Sequence, residues 1–292
     1  LLLLIPLLLA LAACAIRAPE PEPARQRPLP VLLIGIDGFR PDYLAMPEAR
    51  TLRALAEGGG HAEALQPAYP SLTFPNHYTL VTGLHPDRHG IINNSMRDPE
   101  LGSFAMHLRT AVADGRWWGG EPVWITAKRR GLRSATLFWP GSEADVGGQH
   151  PDEWLPYDAS LGSARRVQQV LEWLSRPQSS RPDFMTLYFE QVDSIGHDVG
   201  PDAPELRRAV SAVDRSVREL LAGIADAGWA DRINLVLVSD HGMTAIDESR
   251  PILLDELVDP RSFELVSFGA SAGIQPRRGR SAEVEAALLR PH

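Results

Sequence analysis

Cysteine is almost absent: Cys14 stands alone in 292 residues, which excludes intramolecular disulfides and cysteine-based zinc sites. Basic residues are in the minority, 29 Lys and Arg against 37 Asp and Glu, for a formal net charge of -8. A chain that tracks a nucleic-acid backbone needs a cationic surface, and this balance argues against one. A small anionic substrate stays open, because bound metal ions can reverse the local field. With 24 Gly and 25 Pro and no internal repeat, collagen-like and low-complexity readings fall away. What remains, 44% hydrophobic and 23% charged, is globular composition, long enough for one large α/β domain or two small ones.

The first sixteen residues, Leu1 to Ile16 (LLLLIPLLLALAACAI), form a nearly unbroken apolar run. It falls short of the roughly 20 residues of a membrane span and suits the apolar region of a secretory signal. Leu11-Ala12-Ala13-Cys14 resembles a bacterial lipobox, in which Cys14 becomes the lipidated first residue. The alternative is an ordinary signal peptide with small residues near its cleavage site. Either implies export to the periplasm, free or anchored by lipid to the outer membrane. Residues 17–30 read as a Pro-rich, extended linker, and one domain follows over residues 31–292.

Residues 31–36 (VLLIGI), 135–139, 184–189 and 233–238 are short apolar runs, the pattern of strands buried on both faces. Between the last two, Leu206, Val210, Val213, Val217, Leu220 and Ile224 have helical spacing, and Gly228 stands where such a helix stops. Residues 165–174 and 122–130 are further helices by the same reading. Strands alternating with helices predict an α/β fold with a mainly parallel sheet covered on both faces.

Polar residues gather where these strands end. Asp37 follows the first strand, Asp193 and His197 follow the third, and Asp240 and His241 follow the last. Ligands of open α/β sheets bind beyond the carboxyl ends of the strands. One Asp after a strand is ordinarily a cap or turn former, but three strands delivering carboxylates and imidazoles to one edge point to a metal site. Hard oxygens mixed with imidazole nitrogens suit zinc or a similar divalent ion. In the segment 69–94 (YPSLTFPNHYTLVTGLHPDRHGIINN), Thr73 lies in a turn bracketed by Pro70 and Pro75, before a short helix over 76–81. Its hydroxyl can serve an anion held at a helix N-terminus, or can merely cap the helix; the spacing alone leaves both open.

The blocks IGIDGFRPDYL, YPSLTFPNHYTLVTGLHPDRHGIINN, WWGGEPVWITA, FWPGSEA, QVDSIGHDVGP and LVSDHGM resemble the nucleotide pyrophosphatase/phosphodiesterase family of the alkaline phosphatase superfamily. The resemblance implies an alkaline-phosphatase-like α/β sandwich with two zinc ions. It implies one zinc on Asp37, Asp240 and His241, with the Thr73 oxygen as exchangeable fourth ligand, and another on Asp193 and His197. Thr73 corresponds to the nucleophile, and Asn94 to the amide that binds a phosphate oxygen together with the backbone N–H of Phe74. Phe74 and Tyr157, with Trp139 nearby, fall where family members sandwich a nucleotide base. Leu72 stands where many relatives carry Lys, and His61, His77, His85, His89, His107 and His150 match no metal position, so these six are expected to be surface or structural. A further zinc-binding His, which the family supplies in a Gly-rich HGY-type motif downstream, does not occur here; the chain therefore reads as a fragment without its carboxyl end. The implied activity is zinc-dependent hydrolysis of nucleotide diester or pyrophosphate bonds through a phospho-threonine, with a nucleotide or other small phosphodiester as partner. A related phosphomonoesterase or phosphonate hydrolase, or a metal lipoprotein that binds nucleotides without turnover, are the alternatives.

Overall fold

The computed structural model describes residues 27–247, 249–269 and 271–290; the apolar run with Cys14 lies outside them. Nine strands occur in the described residues: β1 (Val31–Ile36), β2 (Ser95–Asp98), β3 (Gly102–Ala105), β4 (Ser134–Leu137), β5 (Glu153–Leu155), β6 (Phe184–Phe189), β7 (Asn234–Val238), β8 (Phe263–Ser267) and β9 (Gly273–Pro276). Five of them form an all-parallel sheet in the order β5-β4-β6-β1-β7. β6 is the middle strand, and β1 lies between β6 and β7, with Gly35 paired to Tyr188 on one side and to Val238 on the other.

Alternation along β1 and β6 feeds two apolar layers. Leu32, Ile34, Met185 and Leu187 face the long helix Pro204–Asp226 and the helix Ser163–Leu174, where Val213, Val217, Val170 and Trp173 are buried with them. The other face is aromatic: Phe74, Tyr78, Trp118, Trp124 and Trp139 pack with Leu33 and Phe184. Each large side chain so buried contributes about 1.5–3 kcal/mol. The long helix starts on Pro204 with Glu205 in its first turn, and the chain leaves it through Gly228 at φ 74°, the stop expected from the sequence.

Three expectations need correction. The run 135–139 ends as a strand at Leu137, because Phe138 adopts φ 64°, a left-handed conformation that ends the pleat. The run 233–238 begins as β7 at Asn234 and is not covered on both faces: it is the edge of the sheet, with Val236 41% exposed. The helix expected at 76–81 spans Thr73–Thr82, which puts Thr73 on its first turn. The hairpin β8–β9 and the helix Ser281–Leu288 share a separate small core of Val258, Phe263, Val284 and Ala287. No described helix is long and apolar enough to cross a membrane.

Candidate metal centre

Parallel strands of similar length end together, so the residues after β1, β6 and β7 meet at one edge. The backbone N–H of Asp37 donates to the Phe189 carbonyl at 2.9 Å, that of Gly38 to Asp240 Oδ1 at 3.2 Å, and that of Phe39 to the Ser239 hydroxyl at 3.0 Å. These bonds tie the loop after β1 to those after β6 and β7. Gly38 makes the approach possible. It sits at φ 65°, and a Cβ there would lie 3.0 Å from Asp193 Cβ and Oδ1.

Asp37, Asp193 and His241 each place a ligand atom within 4.8 Å of the others, as do Asp37, His77 and Asp240. His241 Nε2 is 3.1 Å from Asp240 Oδ2 and 3.5 Å from Asp37 Oδ1. The His241 Nδ1 lies 2.8 Å from the Gly242 carbonyl. A carbonyl only accepts, so Nδ1 carries the hydrogen and Nε2 presents a lone pair to the carboxylates. Asp37 Oδ1, Asp193 Oδ1 and Asp240 Oδ2 are buried without a hydrogen-bond donor. Three unsatisfied carboxylate oxygens and an imidazole lone pair turned toward one another require positive charge between them. The donor set therefore fits a divalent cation, with mixed oxygen and nitrogen ligands suited to zinc.

The electrostatics of the cluster follow. Burial, then repulsion from Asp240 and Asp193, raises the Asp37 carboxyl well above its ordinary range, against the hydrogen bond from Tyr188. Burial also raises Asp193, although His197 and His241 pull it down. For Asp240 burial is opposed by His77, His241 and the Gly38 N–H, and the balance is downward. His197 Nε2 is 3.5 Å from Asp193 Oδ1, one helical turn away, with an exposed ring.

His77, expected to be surface or structural, is fully buried inside this cluster. Its Nδ1 is 3.0 Å from the Thr73 carbonyl and 3.1 Å from Asp240 Oδ2. The carbonyl again fixes the hydrogen on Nδ1, so His77 is a donor to Thr73 rather than a metal ligand through that atom. Room for the ring comes from Gly35, where a Cβ would meet His77 Nε2 and Trp139 at 3.1 Å. The sequence signal for this role was the i, i+4 spacing from Thr73 to His77, which stacks the two on one helix face.

Around Thr73, Asn76 accepts from the Ala68 N–H at 2.7 Å and donates to the Ala68, Pro70 and Leu72 carbonyls. It clamps the turn that enters the helix. Thr73 is 8% exposed. Asn94 Oδ1 accepts from the Phe74 N–H at 2.9 Å; the two groups expected to share a phosphate oxygen are adjacent, and here they bond each other. Trp139, expected near a base, is instead interior: it is 1% exposed and donates its Nε1–H to the His77 carbonyl at 3.0 Å. Phe74 is 9% exposed and packs against Phe104 and Trp118. Tyr157 is 38% exposed, set edge-on to Phe138 at 5.4 Å and 6.4 Å from Tyr188. Of the other histidines, His61, His85 and His107 are exposed, His150 stacks on Trp154 at 4.3 Å, and His89 is buried on the Thr79 hydroxyl and pushed down to about 4 by burial. None of these five reaches the cluster.

Residues 31–292 match the family described as type I phosphodiesterase / nucleotide pyrophosphatase. The chain belongs to that family. It is 39% identical over 254 residues to human ectonucleotide pyrophosphatase/phosphodiesterase family member 1, covering 85% of this chain and 27% of the relative. It is 39% identical over 253 residues to the venom phosphodiesterase of Naja atra, covering 85% and 30%. The chain thus spans less than a third of the length of these curated relatives. Murine ectonucleotide pyrophosphatase/phosphodiesterase 5 superposes with a TM-score of 0.84 at 35% identity, over 90% of this chain and 70% of that one. An inactive threonine-to-alanine form of the same murine protein, in complex with AMP, superposes with a TM-score of 0.83 over 89% and 69%. This family member therefore shares the alkaline-phosphatase-like α/β fold of those structures.

Proposed function

We propose that this chain carries the catalytic region of a divalent-metal-dependent hydrolase of nucleotide phosphodiester and pyrophosphate bonds, with Thr73 as nucleophile. The observation that carries this reading is the convergence of three buried, donor-free carboxylate oxygens from Asp37, Asp193 and Asp240 beside the helix that opens on Thr73. The curated names of the human and snake relatives, and the AMP complex of the murine threonine-to-alanine form, support it.

Asp37, Asp240 and His241 would hold one zinc, and Asp193 with His197 a second. Bound divalent cations would supply the positive charge that stabilises the attacking and leaving oxygens of an in-line displacement. Thr73 Oγ1 would form the new bond to phosphorus as the bond to the leaving alcohol or phosphate breaks. Water would then cleave the phospho-threonine and restore the hydroxyl. Asn94 sits against the amide of Phe74. Its side-chain NH2, and the Phe74 N–H once exchanged from Asn94, are the donors available to a non-bridging oxygen. Tyr157 is the exposed aromatic ring of this group and offers a face to a base.

The test compares a nitrophenyl ester of a nucleotide with nitrophenyl phosphate on the zinc-loaded protein. Faster turnover of the diester is expected. Preference for the monoester would replace this reading with that of a phosphomonoesterase.

A further inference from the structure

The amino-terminal end of the sheet, opposite the metal centre, carries a second charged cluster of the other sign. Arg27 lies just before β1, Arg181 just before β6 and Arg232 just before β7. Six residues of β1 separate this end from Asp37, roughly 20 Å at about 3.3 Å per residue. The three arginines, with Gln178 and Trp229, line a cavity of about 170 Å³. A single water needs only about 10–15 Å³ on this measure, so the space suits a polyatomic group.

Arg27 is paired with Asp183, whereas the Arg181 and Arg232 guanidinium groups are held in place without an ion pair among the described residues. Arg181 and Arg232 both lie over the indole of Trp229, at 4.2 and 4.6 Å from the ring centroid. Trp229 is itself 7% exposed, and its backbone N–H donates to the Ile224 carbonyl at 2.9 Å. Asp183, close to Arg181 in the chain, is already engaged by Arg27 at 3.0 Å and by the Arg133 N–H at 2.9 Å. Among the described residues neither Arg181 nor Arg232 forms an ion pair, Asp231 next in the chain included, and Arg181 Nε is buried without a partner. Burial, then the nearness of Arg232 and Arg27, pulls the Arg181 guanidinium below its ordinary value despite Asp183. Like charges packed around a cavity in a protein of net charge -8 are stable when an anion joins them. Planar guanidinium forks, pre-oriented by stacking, match the oxygens of a phosphoryl group.

We infer that the cavity lined by Arg27, Arg181, Arg232 and Trp229 is a binding site for a phosphate-bearing anion, separate from the catalytic edge. A terminal phosphate, whether free or on a lipid headgroup, has the two or more charged oxygens that three converging guanidiniums satisfy. The inference is independent of the catalytic reading, because no residue of the metal centre takes part.

The experiment follows the arginine side-chain Nε–H resonances of the zinc-loaded protein during titration with inorganic phosphate at constant ionic strength. The signals of Arg181 and Arg232, assigned by single substitutions, are expected to move together and saturate in the millimolar range or below. The double variant Arg181→Gln/Arg232→Gln should bind about tenfold more weakly or worse, seen as loss of saturation at Arg27, with diesterase turnover unchanged. Arg181→Lys/Arg232→Lys, which keeps charge and removes the forks, covers the case in which the Gln pair does not fold, and should also weaken binding. Sedimentation with vesicles of phosphatidic acid in phosphatidylcholine separates the sources. Arginine-dependent binding to vesicles identifies a lipid phosphate, and binding of phosphate without vesicle association identifies a soluble one. Unmoved Arg181 and Arg232 signals, or equal movement with chloride, would overturn the assignment.

Discussion

Tyr188 donates its hydroxyl hydrogen to Asp37 Oδ2 at 2.5 Å, both residues buried at the ends of adjacent strands. The bond occupies one carboxylate oxygen and leaves Oδ1 turned toward Asp193, Asp240 and His241. A protein donor on the outer oxygen is what fixes a ligating carboxylate in place. Burial and the neighbouring Asp37 charge raise the Tyr188 phenol well above its ordinary value, so it stays a donor throughout the working pH range. Tyr188→Phe should keep the fold, since the ring remains against His77 at 5.2 Å. Metal affinity should fall about 10- to 100-fold, read by competition with a coloured chelator. Unchanged affinity would show that Asp37 needs no outer partner.

Metal removal should destabilise the protein in a pH-dependent way. Asp37 and Asp193 are raised in the folded, metal-free state, Asp37 chiefly by burial and then by its acidic neighbours, Asp193 chiefly by burial. A carboxyl whose folded value is raised favours folding below its unfolded value, about 4. That contribution is lost as pH rises through the folded value. Asp240, which is lowered, works in the opposite sense, so the net slope reports two groups against one. The melting temperature of chelated protein should therefore fall between mildly acidic and neutral pH, and added zinc should restore most at the neutral end. A flat profile without metal would mean that the three carboxylates are not charge-coupled.

Thr73→Ala should abolish diesterase turnover, a loss of several hundred-fold or more, while bound zinc stays near its original content. The carboxylates and imidazoles carry most of the proposed coordination, and the helix keeps its Asn76 clamp. Thr73→Ser retains the hydroxyl and should retain measurable activity. Metal analysis beside a turnover assay decides the matter; near-original turnover in the Ala variant sinks the nucleophile assignment.

Tyr157 supplies a test of substrate class. Its ring is more than a third exposed, whereas Phe74 and Trp139 are buried. Tyr157→Ala should weaken nucleotide diesters by about 1–3 kcal/mol, the worth of one stacked base. A nitrophenyl methyl phosphate, which has no base, should lose much less. Equal losses on the two would make Tyr157 a packing residue under Phe138.

The main strands and the long helix were legible because apolar runs and 3.6-residue spacing report burial directly. Short elements such as β5, with only Trp154 and Leu155 as apolar residues, gave no such signal. The exposed edge at β7 is not legible in the sequence, since an apolar run states a preference for burial and not whether a neighbour provides it. In the site, Asp37, Asp193, Asp240 and His241 could be found from their places after strands. For His77 the i, i+4 spacing from Thr73 gives only a shared helix face; its place in the cluster also depends on Gly35 leaving room from a strand far away in sequence. The burial of Trp139 likewise follows from a tertiary bond to the His77 carbonyl.

His77 couples the proposed nucleophile to the proposed metal centre, and that coupling can be broken without emptying the space. Its Nδ1–H lies between the Thr73 carbonyl and Asp240 Oδ2, at 3.0 and 3.1 Å, while its ring meets Trp139 and Tyr188 edge-on at 5.0 and 5.2 Å. His77→Phe keeps an aromatic ring of similar width in those contacts and removes the donor. The Thr73 carbonyl then loses its buried donor, a cost of about 1–3 kcal/mol in stability, and Asp240 loses the imidazole beside it. Packing alone predicts nothing more. Positioning predicts two further effects: weaker zinc binding, because Asp240 is no longer oriented, and a fall in kcat greater than the change in KM, because Thr73 shifts relative to the reacting phosphorus. His77→Asn offers an N–H on a shorter side chain and should recover part of the zinc affinity while leaving a cavity beside Trp139. If His77→Phe lowers the melting temperature yet binds zinc and turns over substrate as the parent does, His77 only fills space.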